Sequence, residues 1–198
     1  METVYVPSLY KKTAINKYKK KFGNIEIYEE YPEEIISLSS SLNDNEAFII
    51  KFKNIFGIYP PKPNEMKDIE NGQVLWSGQG QYFIFMNTDD QYLDTRIAKE
   101  FEGIAYSTLQ SDAWATIIIR GSDVFKLLER TIPLDLLNAQ NYYASRTSSF
   151  HVSVIVIKLD KNKVKIITPR SSSNSFLEAL VQTAENVSLP CPKSGGIS

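Results

Sequence analysis

The stretch SDAWATIIIRGSDVFKLLERTIPLDL, from Ser111 to Leu136, decides the fold of this chain. Its residues 115–119 are a short run rich in β-branched side chains, which favours a strand buried on both faces. Gly121 then permits backbone angles that other residues resist, and Ser122 is able to accept a hydrogen bond from a free helical N–H. The next apolar residues share one stripe of a helix, and Pro133 ends the helical pattern. The stretch therefore predicts a central strand packed against a short helix.

The rest of the chain shows the same two patterns: apolar runs typical of strands, and apolar residues at helical spacing. Apolar runs predict further strands at 25–28, 35–39, 74–76, 82–86, 105–109, 142–147, 150–159 and 164–168. Apolar residues at helical spacing predict three further helices, with Asn43 and Glu46, Thr88 or Asp89, and Ser175 and Glu178 as their caps. Helices that return the chain to a largely antiparallel sheet predict an α+β fold, with two ferredoxin-like βαβ layers around one shared sheet.

One globular domain is predicted between two loose ends. Residues 1–24, with lysines clustered from Lys11 to Lys21, predict a basic N-terminal arm that is solvated or lies on an acidic partner. No boundary separates the two halves of residues 25–187, which predicts a single α+β domain there. Residues 188–198 are rich in Pro, Ser and Gly and predict a flexible tail.

Composition argues against several classes of protein. The 22 basic and 23 acidic residues give a formal charge of -1, without the basic excess that is typical of nucleic-acid binding. No apolar run approaches the roughly 20 residues that cross a bilayer, and no secretion signal opens the chain. We therefore expect a cytoplasmic protein without membrane contact. Cys191 is the one cysteine, so neither an internal disulfide nor a cysteine metal cluster is expected.

No catalytic constellation is evident in the sequence. The single histidine, His151, lies in the apolar context Phe150-His151-Val152, which favours a structural histidine inside a strand. There is no HExxH pair, no phosphate-binding glycine loop and no Gly-x-Ser-x-Gly turn. We therefore predict no catalytic residue and no metal ligand in this chain.

Three residues remain as candidates for binding. Asp112 beside Trp114 is suited to bind an amine or a pterin-like ring, with the indole packed on it, or to be a turn aspartate next to a core tryptophan. Arg170, where a strand passes into a helix, is suited to grip a carboxylate or phosphate, or to form an ion pair at a subunit interface. With 11 Tyr and 10 Phe in the chain, some aromatic side chains are expected on a contact surface.

The order of several short motifs resembles the gamma subunit of heterotetrameric sarcosine oxidase. The resemblance covers about residues 35–184 and rests on Leu75-Trp76-x-Gly78, Ser111-Asp112, Trp114-Ala115, Arg120-Gly121, Leu127-Leu128, Pro133-Leu134-Asp135-Leu136, Arg146-Thr147 and Pro169-Arg170-Ser171, followed by Phe176 and Leu180. It departs from the family after Trp76, where Gln79 replaces a proline and Tyr82 stands where a tryptophan is usual.

That resemblance implies a fold similar to the tetrahydrofolate-binding domain of aminomethyltransferases. The complex in that family oxidises sarcosine to glycine, passes the one-carbon unit to tetrahydrofolate and produces hydrogen peroxide. It implies alpha, beta and delta subunits as partners, which carry the FAD, FMN, NAD and zinc, and a non-catalytic role in assembly for this chain. Trp76 and Arg170 are then candidates for interface contacts.

Two other functions stay open at this point. One is a free-standing folate-binding or aminomethyltransferase-like protein, with Asp112 as the carboxylate on the amine side. The other is nucleic-acid binding through the lysines of the N-terminal arm, which the charge balance disfavours. Whether this chain itself binds tetrahydrofolate is not determined by its sequence.

Overall fold

A computed structural model describes residues 13–30, 33–40, 46–88, 90 and 92–189. Strands in this part of the chain are β1 (Lys19–Phe22), β2 (Ile25–Glu29), β3 (Glu34–Ser40), β4 (Met66–Ile69), β5 (Gly72–Gly78), β6 (Gln81–Met86), β7 (Ala105–Leu109), β8 (Trp114–Arg120), β9 (Ala144–Ser149), β10 (Val152–Asp160) and β11 (Lys163–Pro169). Helices are α1 (Glu46–Phe56), α2 (Leu93–Glu100), α3 (Val124–Leu128) and α4 (Ser173–Ser188), with short 3₁₀ turns at Ser111–Ala113 and Arg170–Ser172.

These strands form two antiparallel sheets. The first sheet has the order β1-β2-β8-β11-β10-β9, and the second has the order β4-β5-β6-β3-β7. The predicted α+β class is confirmed, but two sheets replace the one shared sheet of the prediction. The chain crosses from β2 in the first sheet to β3 in the second within a few residues, and an apolar pattern does not reveal such a crossing.

Three apolar layers make the molecule a four-layer stack of helices, sheet, sheet and helices. The first sheet packs one face on α3 and α4, through Ile117, Ile119, Val124, Leu127, Phe176 and Leu180 among others. The second packs one face on α1 and α2, through Ile36, Leu38, Phe48, Phe52, Ile97 and Phe101. The two remaining faces meet each other through Ile35, Leu75, Phe83, Phe85, Ile155, Ile157 and Ile167.

The strand and helix predicted from the opening stretch are present. Strand β8 lies between β2 and β11, and its residues 115–119 are buried. Gly121 has a φ of +134°, and a Cβ there would lie 1.8 Å from the backbone oxygen of Asn24, so only glycine fits this turn. The N-cap of α3 is Asp123 and makes no capping hydrogen bond, so the predicted cap at Ser122 is wrong.

The sequence predicts the positions of the helices better than it predicts their caps. In α1, Phe48 and Phe52 are buried and their rings lie 5.6 Å apart, as their spacing predicts. The predicted cap Asn43 lies outside the described residues, as does Asp89. Helix α4 begins at Ser173, so Ser175 and Glu178 do not form its capping box.

Both predicted loose ends need revision where the structure describes them. Residues 19–22, which we assigned to the basic arm, form strand β1 paired with β2, and Ile15 and Phe22 are buried in the core. Their apolar side chains are spaced too irregularly among the lysines to show a strand period. At the other end, Ser188 is the last residue of α4. Residues 1–12 of the predicted arm and 190–198 of the predicted tail lie outside the described residues, so the three-part division stays a prediction.

The structure places His151 in an exposed turn, not within an apolar strand. Phe150 and His151 are the two residues between β9 and β10, and both have positive φ, at +50° and +64°. Positive φ at both central residues is the geometry of a type I′ hairpin turn, which Asn and Gly adopt most readily. The ring of Phe150 packs edge-on against Phe176 at 5.8 Å, which anchors this turn to α4.

A buried lysine holds the crossing between the two sheets. Lys165 of β11 keeps 5% of its side chain exposed, and its Nζ lies 2.8 Å from a carboxylate oxygen of Glu30 and of Glu33. Burial of the ammonium acts to lower the pKa of Lys165, but the two carboxylates outweigh burial and raise it above the usual value. The folded state therefore favours the charged lysine.

We expect Lys165→Met to lower the free energy of unfolding by about 2 kcal/mol at neutral pH. Removing one partner of a fully buried ion pair costs about 3–5 kcal/mol, and the glutamates here are partly solvated, which reduces the effect. Because the pKa of Lys165 is raised in the folded state, its contribution is complete below the ordinary lysine pKa of about 10.4 and is lost progressively as the pH rises from there through the raised pKa.

Urea unfolding at a series of pH values measures this difference. The gap between the wild type and Lys165→Met should shrink as the pH rises past about 10.5. Lys161→Met, in the exposed turn between β10 and β11, is the control and should change the unfolding free energy by less than about 0.5 kcal/mol. A gap that widens at alkaline pH contradicts the assignment.

Strand β7 is the outer strand of the second sheet, and its backbone alternates between the sheet and solvent. The Gln110 N–H donates to the Ile35 oxygen at 2.7 Å, so the same register directs the N–H of Thr108 towards Ser37. The N–H groups of Ser107 and Leu109 therefore point to the free edge. Residues 103–111 carry no charge and no proline, and Tyr106 is 80% exposed.

Proline substitutions at adjacent positions test this register. Thr108→Pro should lower the unfolding free energy by about 3 kcal/mol, because it removes a donor from the sheet. Ser107→Pro removes a donor that faces solvent and should cost about 1 kcal/mol or less. Chemical denaturation of both variants gives the comparison, and equal losses would show that the register is shifted.

Candidate functional site

The structure brings three of the sequence-predicted residues together at one end of the first sheet. Trp114 opens β8 directly opposite Pro169 at the end of β11, so the turns that hold Asp112 and Arg170 are adjacent. The closest guanidinium nitrogen of Arg170 is 3.9 Å from Asp112 Oδ1. The Asp112 side chain is 99% exposed, so this ion pair is worth little.

The Arg170 guanidinium makes a hydrogen bond within the chain. Its Nη2 donates to the backbone oxygen of Thr13 at 3.4 Å, and its side chain is 29% exposed. The two roles that we predicted for Arg170, gripping a ligand or forming an ion pair at a subunit interface, stay predictions. The structure shows a contact that fastens the start of the described chain to the end of β11.

Glu29 holds the same segment from the other side, a role that the sequence did not suggest. Its carboxylate accepts hydrogen bonds from the backbone N–H groups of Ala14, Ile15 and Lys17, at 2.6, 3.0 and 2.8 Å. Three backbone donors around one carboxylate form an anion-binding concavity filled by the protein's own side chain. Together, Glu29 and Arg170 place Ile15 in the core.

Trp114 closes the apolar layer between the two sheets. Its ring meets Phe83 of β6 edge-on at 5.5 Å, and its indole Nε1 donates to Gln110 Oε1 at 3.2 Å. The indole N–H therefore has a partner, and the ring is partly exposed at the rim of the layer. Both interpretations of Asp112 and Trp114, a binding pair or a turn aspartate beside a core tryptophan, stay predictions.

Arg146 completes this rim, and it was not among the predicted site residues. Its guanidinium carbon lies 5.7 Å from the centre of the Trp114 ring and 5.8 Å from that of Phe83. No hydrogen bond or ion pair joins this guanidinium to any residue that the structure describes. Desolvation by the surrounding protein lowers the pKa of Arg146. In the sequence, the signal that could have pointed to Arg146 was an arginine among the small polar residues of the strand Ala144–Ser149.

The cavity beneath these residues is too small for a cofactor. It is lined by Ser111, Trp114, Thr116 and Arg170 among others, and its volume is about 10 Å³. That is room for about one water molecule. A ligand of Asp112 or Trp114 would therefore have to lie on the open surface.

Trp76, the other interface candidate, lies on a different part of the molecule. It pairs with Tyr82 on the helix-covered face of the second sheet and is partly exposed. Trp76 and Tyr82 line an open groove of about 480 Å³ with Pro61 and Pro63. The structure therefore does not join Trp76 and Arg170 in one surface.

The described part of the chain has two larger clefts. One, of about 920 Å³, lies between α1 and α2 over an apolar floor that includes Ile55, Ile69 and Met86. The second, of about 630 Å³, lies beside the Gly121 turn and is lined by charged side chains of both signs. Neither contains Asp112, Trp114 or Arg170.

No three His, Cys, Asp or Glu side chains of the described ranges are grouped so that they could hold a metal ion. Nor is any helix of those ranges long and apolar enough to span a membrane.

Comparison with known proteins places the fold. No family model matches the sequence, and no curated protein matches it. Among solved structures, a chain of heterotetrameric sarcosine oxidase from Corynebacterium sp. U-96, in complex with pyrrole 2-carboxylate, has a TM-score of 0.77 at 15% identity. The match covers 88% of this chain and 90% of that one.

A second solved structure shares the fold over part of its length. The glycine cleavage system aminomethyltransferase T from Bartonella henselae has a TM-score of 0.63 at 7% identity, over 80% of this chain. This chain spans about half of that protein, 46% of its length. The predicted aminomethyltransferase-like fold is thereby confirmed, and at such identities the likeness concerns the fold alone.

Replacing Glu29 tests the anchor of the N-terminal segment. In Glu29→Gln, the amide keeps one acceptor oxygen and loses the charge, so the amide hydrogens of Ala14, Ile15 and Lys17 should exchange at least tenfold faster. Hydrogen exchange measured by mass spectrometry or NMR reports this rate. Glu102→Gln, an exposed substitution, is the matched control. Unchanged exchange in Glu29→Gln would show that the carboxylate does not hold the segment.

Proposed function

We propose that this chain is a non-catalytic subunit of an oxidoreductase complex related to heterotetrameric sarcosine oxidase, in the position of its gamma subunit. Its role is assembly or structural support of larger chains that carry the flavin, the dinucleotide and the zinc. The complex then oxidises sarcosine, or a similar N-methylated amine, and passes the one-carbon unit to tetrahydrofolate with production of hydrogen peroxide.

The observation that carries this proposal is the extent of the structural match. Nearly all of the described fold coincides with nearly all of one chain from a protein whose name states four subunits. In contrast, it coincides with under half of the aminomethyltransferase. The order of the Trp114, Arg120-Gly121, Pro133 and Arg170 motifs supports the gamma position in particular.

Surface features of the described chain are consistent with contacts to other proteins. Large apolar side chains are exposed at several places: Ile50, Tyr59, Tyr92, Tyr106, Leu109, Leu137 and Tyr142. Tyrosine is enriched in protein interfaces because it combines a large apolar ring with a hydrogen-bonding hydroxyl. The uncharged free edge of β7 adds backbone groups that a neighbouring chain can pair with.

The alternative is a folate-binding or aminomethyltransferase-like protein that acts alone. The shared fold favours it, and Asp112 is exposed enough to contact an amine. The cavity of about 10 Å³ at Trp114 argues against an enclosed folate at the predicted residues. We therefore rank it second.

Co-expression with the chains encoded in neighbouring reading frames tests the assembly role. We expect this chain to elute with alpha- and beta-like flavin-bearing chains in one complex on size-exclusion chromatography. The isolated chain should show no sarcosine oxidation, since the redox groups belong to its partners. A chain that stays monomeric beside those partners contradicts the proposal.

Calorimetric titration with tetrahydrofolate tests the alternative. Micromolar binding to the isolated chain, lost in Asp112→Asn and Trp114→Phe, would favour a folate-binding protein. Absence of heat at millimolar tetrahydrofolate removes that alternative and leaves the assembly role untouched.

A further inference from the structure

Arg146 is a charged side chain for which the described residues supply no acid. Its guanidinium carbon lies beside two aromatic rings, 5.7 Å from the centre of Trp114 and 5.8 Å from that of Phe83. Several cations on the surface have acids: Arg120 pairs with Glu26, Lys51 with Glu100 and Arg96 with Asp90. Arg146 has no such pair among the residues described.

Arg146 is an exposed residue, but its guanidinium is partly desolvated by its neighbours. Nearby protein atoms desolvate Arg146 enough to lower its pKa, so the guanidinium has given up part of its hydration without gaining a counter-charge. A planar guanidinium matches a carboxylate, which it binds through two parallel hydrogen bonds.

A shelf of the second sheet continues from Arg146. We define the Arg146 shelf as Arg146, Trp114, Phe83, Ser37 and Thr108. Ser37 pairs with Phe83 on one side and with Thr108 on the other, so these three side chains face the same way across β6, β3 and β7. Ser37 is partly exposed and Thr108 is exposed, which leaves two hydroxyls beside the aromatic floor.

From this juxtaposition we infer that the Arg146 shelf receives a carboxylate side chain from a larger partner chain. The inference rests on the proposed assembly function and names the surface through which it acts. The shelf is open, whereas sites for small molecules enclose most of their ligand. A partner protein supplies the missing wall, and Arg with Trp at the centre of a contact is the composition that interfaces favour.

The substitution that tests this inference is Arg146→Gln, in complexes assembled with the alpha- and beta-like chains encoded beside this one. Affinity for the partners should fall at least 30-fold, and Arg146→Lys, which keeps the charge but not the planar fork, should fall less. Arg96→Gln, an exposed arginine paired with Asp90 on α2, is the matched control and should bind as the wild type does.

Thermal unfolding of the isolated variants separates docking from a structural role. Because Arg146 has no partner within the described chain, Arg146→Gln should leave the melting temperature unchanged or raise it. If the melting temperature falls by about 4 °C or more together with partner affinity, the arginine is structural and the inference is overturned. Wild-type affinity in Arg146→Gln overturns it as well, and the assembly function then stands with another contact surface.

Tryptophan fluorescence shows where the partner lies. The chain has 2 tryptophans, so in a Trp76→Phe background the emission reports on Trp114. A change on mixing with the partner chains supports the inference. Saturable micromolar binding of free glutarate to the isolated chain, or an Arg146-dependent dimer of this chain alone, would overturn it in favour of a small-molecule site or self-association. Failure of the wild type to bind any partner would instead refute the assembly function.

Discussion

The packing of two antiparallel sheets face to face is the constraint on which the rest of this structure depends. Each sheet has an apolar inner face, and the two faces are removed from water only by packing against each other. The layer between them includes Leu75, Phe85, Ile155 and Ile167. The outer faces then need helices, which α1 with α2 and α3 with α4 provide. Lys165 and its two glutamates hold the short crossing between the sheets in place.

Because the two sheets overlap only in part, the seam between them has an open rim. Trp114 and Phe83 end the dry layer there, and the inner face continues as Ser37 and Thr108, whose hydroxyls tolerate water. Arg146 stands at this border, where apolar packing changes to hydrated surface. This geometry does not create an internal pocket at that rim. It leaves an exposed edge, against which a second macromolecule is able to pack.

The spacing of apolar residues and the local composition were enough to predict the strands and helices, but not how they pair across the molecule. The β-branched run at 115–119 and the spacing of Phe48 and Phe52 identified β8 and α1, because burial imposes those patterns directly. Short strands such as β1 and β4, with few apolar residues, were missed. Asp112, Trp114 and Arg170 were recognised as candidates, but the contacts of Arg170 with Thr13 and of Arg146 with two rings depend on distant segments.

The turn at Phe150 and His151 bears on how the chain folds as it is synthesised. Left-handed backbone angles cost such side chains about 1–2 kcal/mol per residue, so the β9–β10 hairpin is poorly closed by its own turn. The compensating contact is with Phe176, in the last helix of the described chain. On the ribosome, this hairpin should therefore close only after α4 has emerged, which couples the edge of the first sheet to a helix made later.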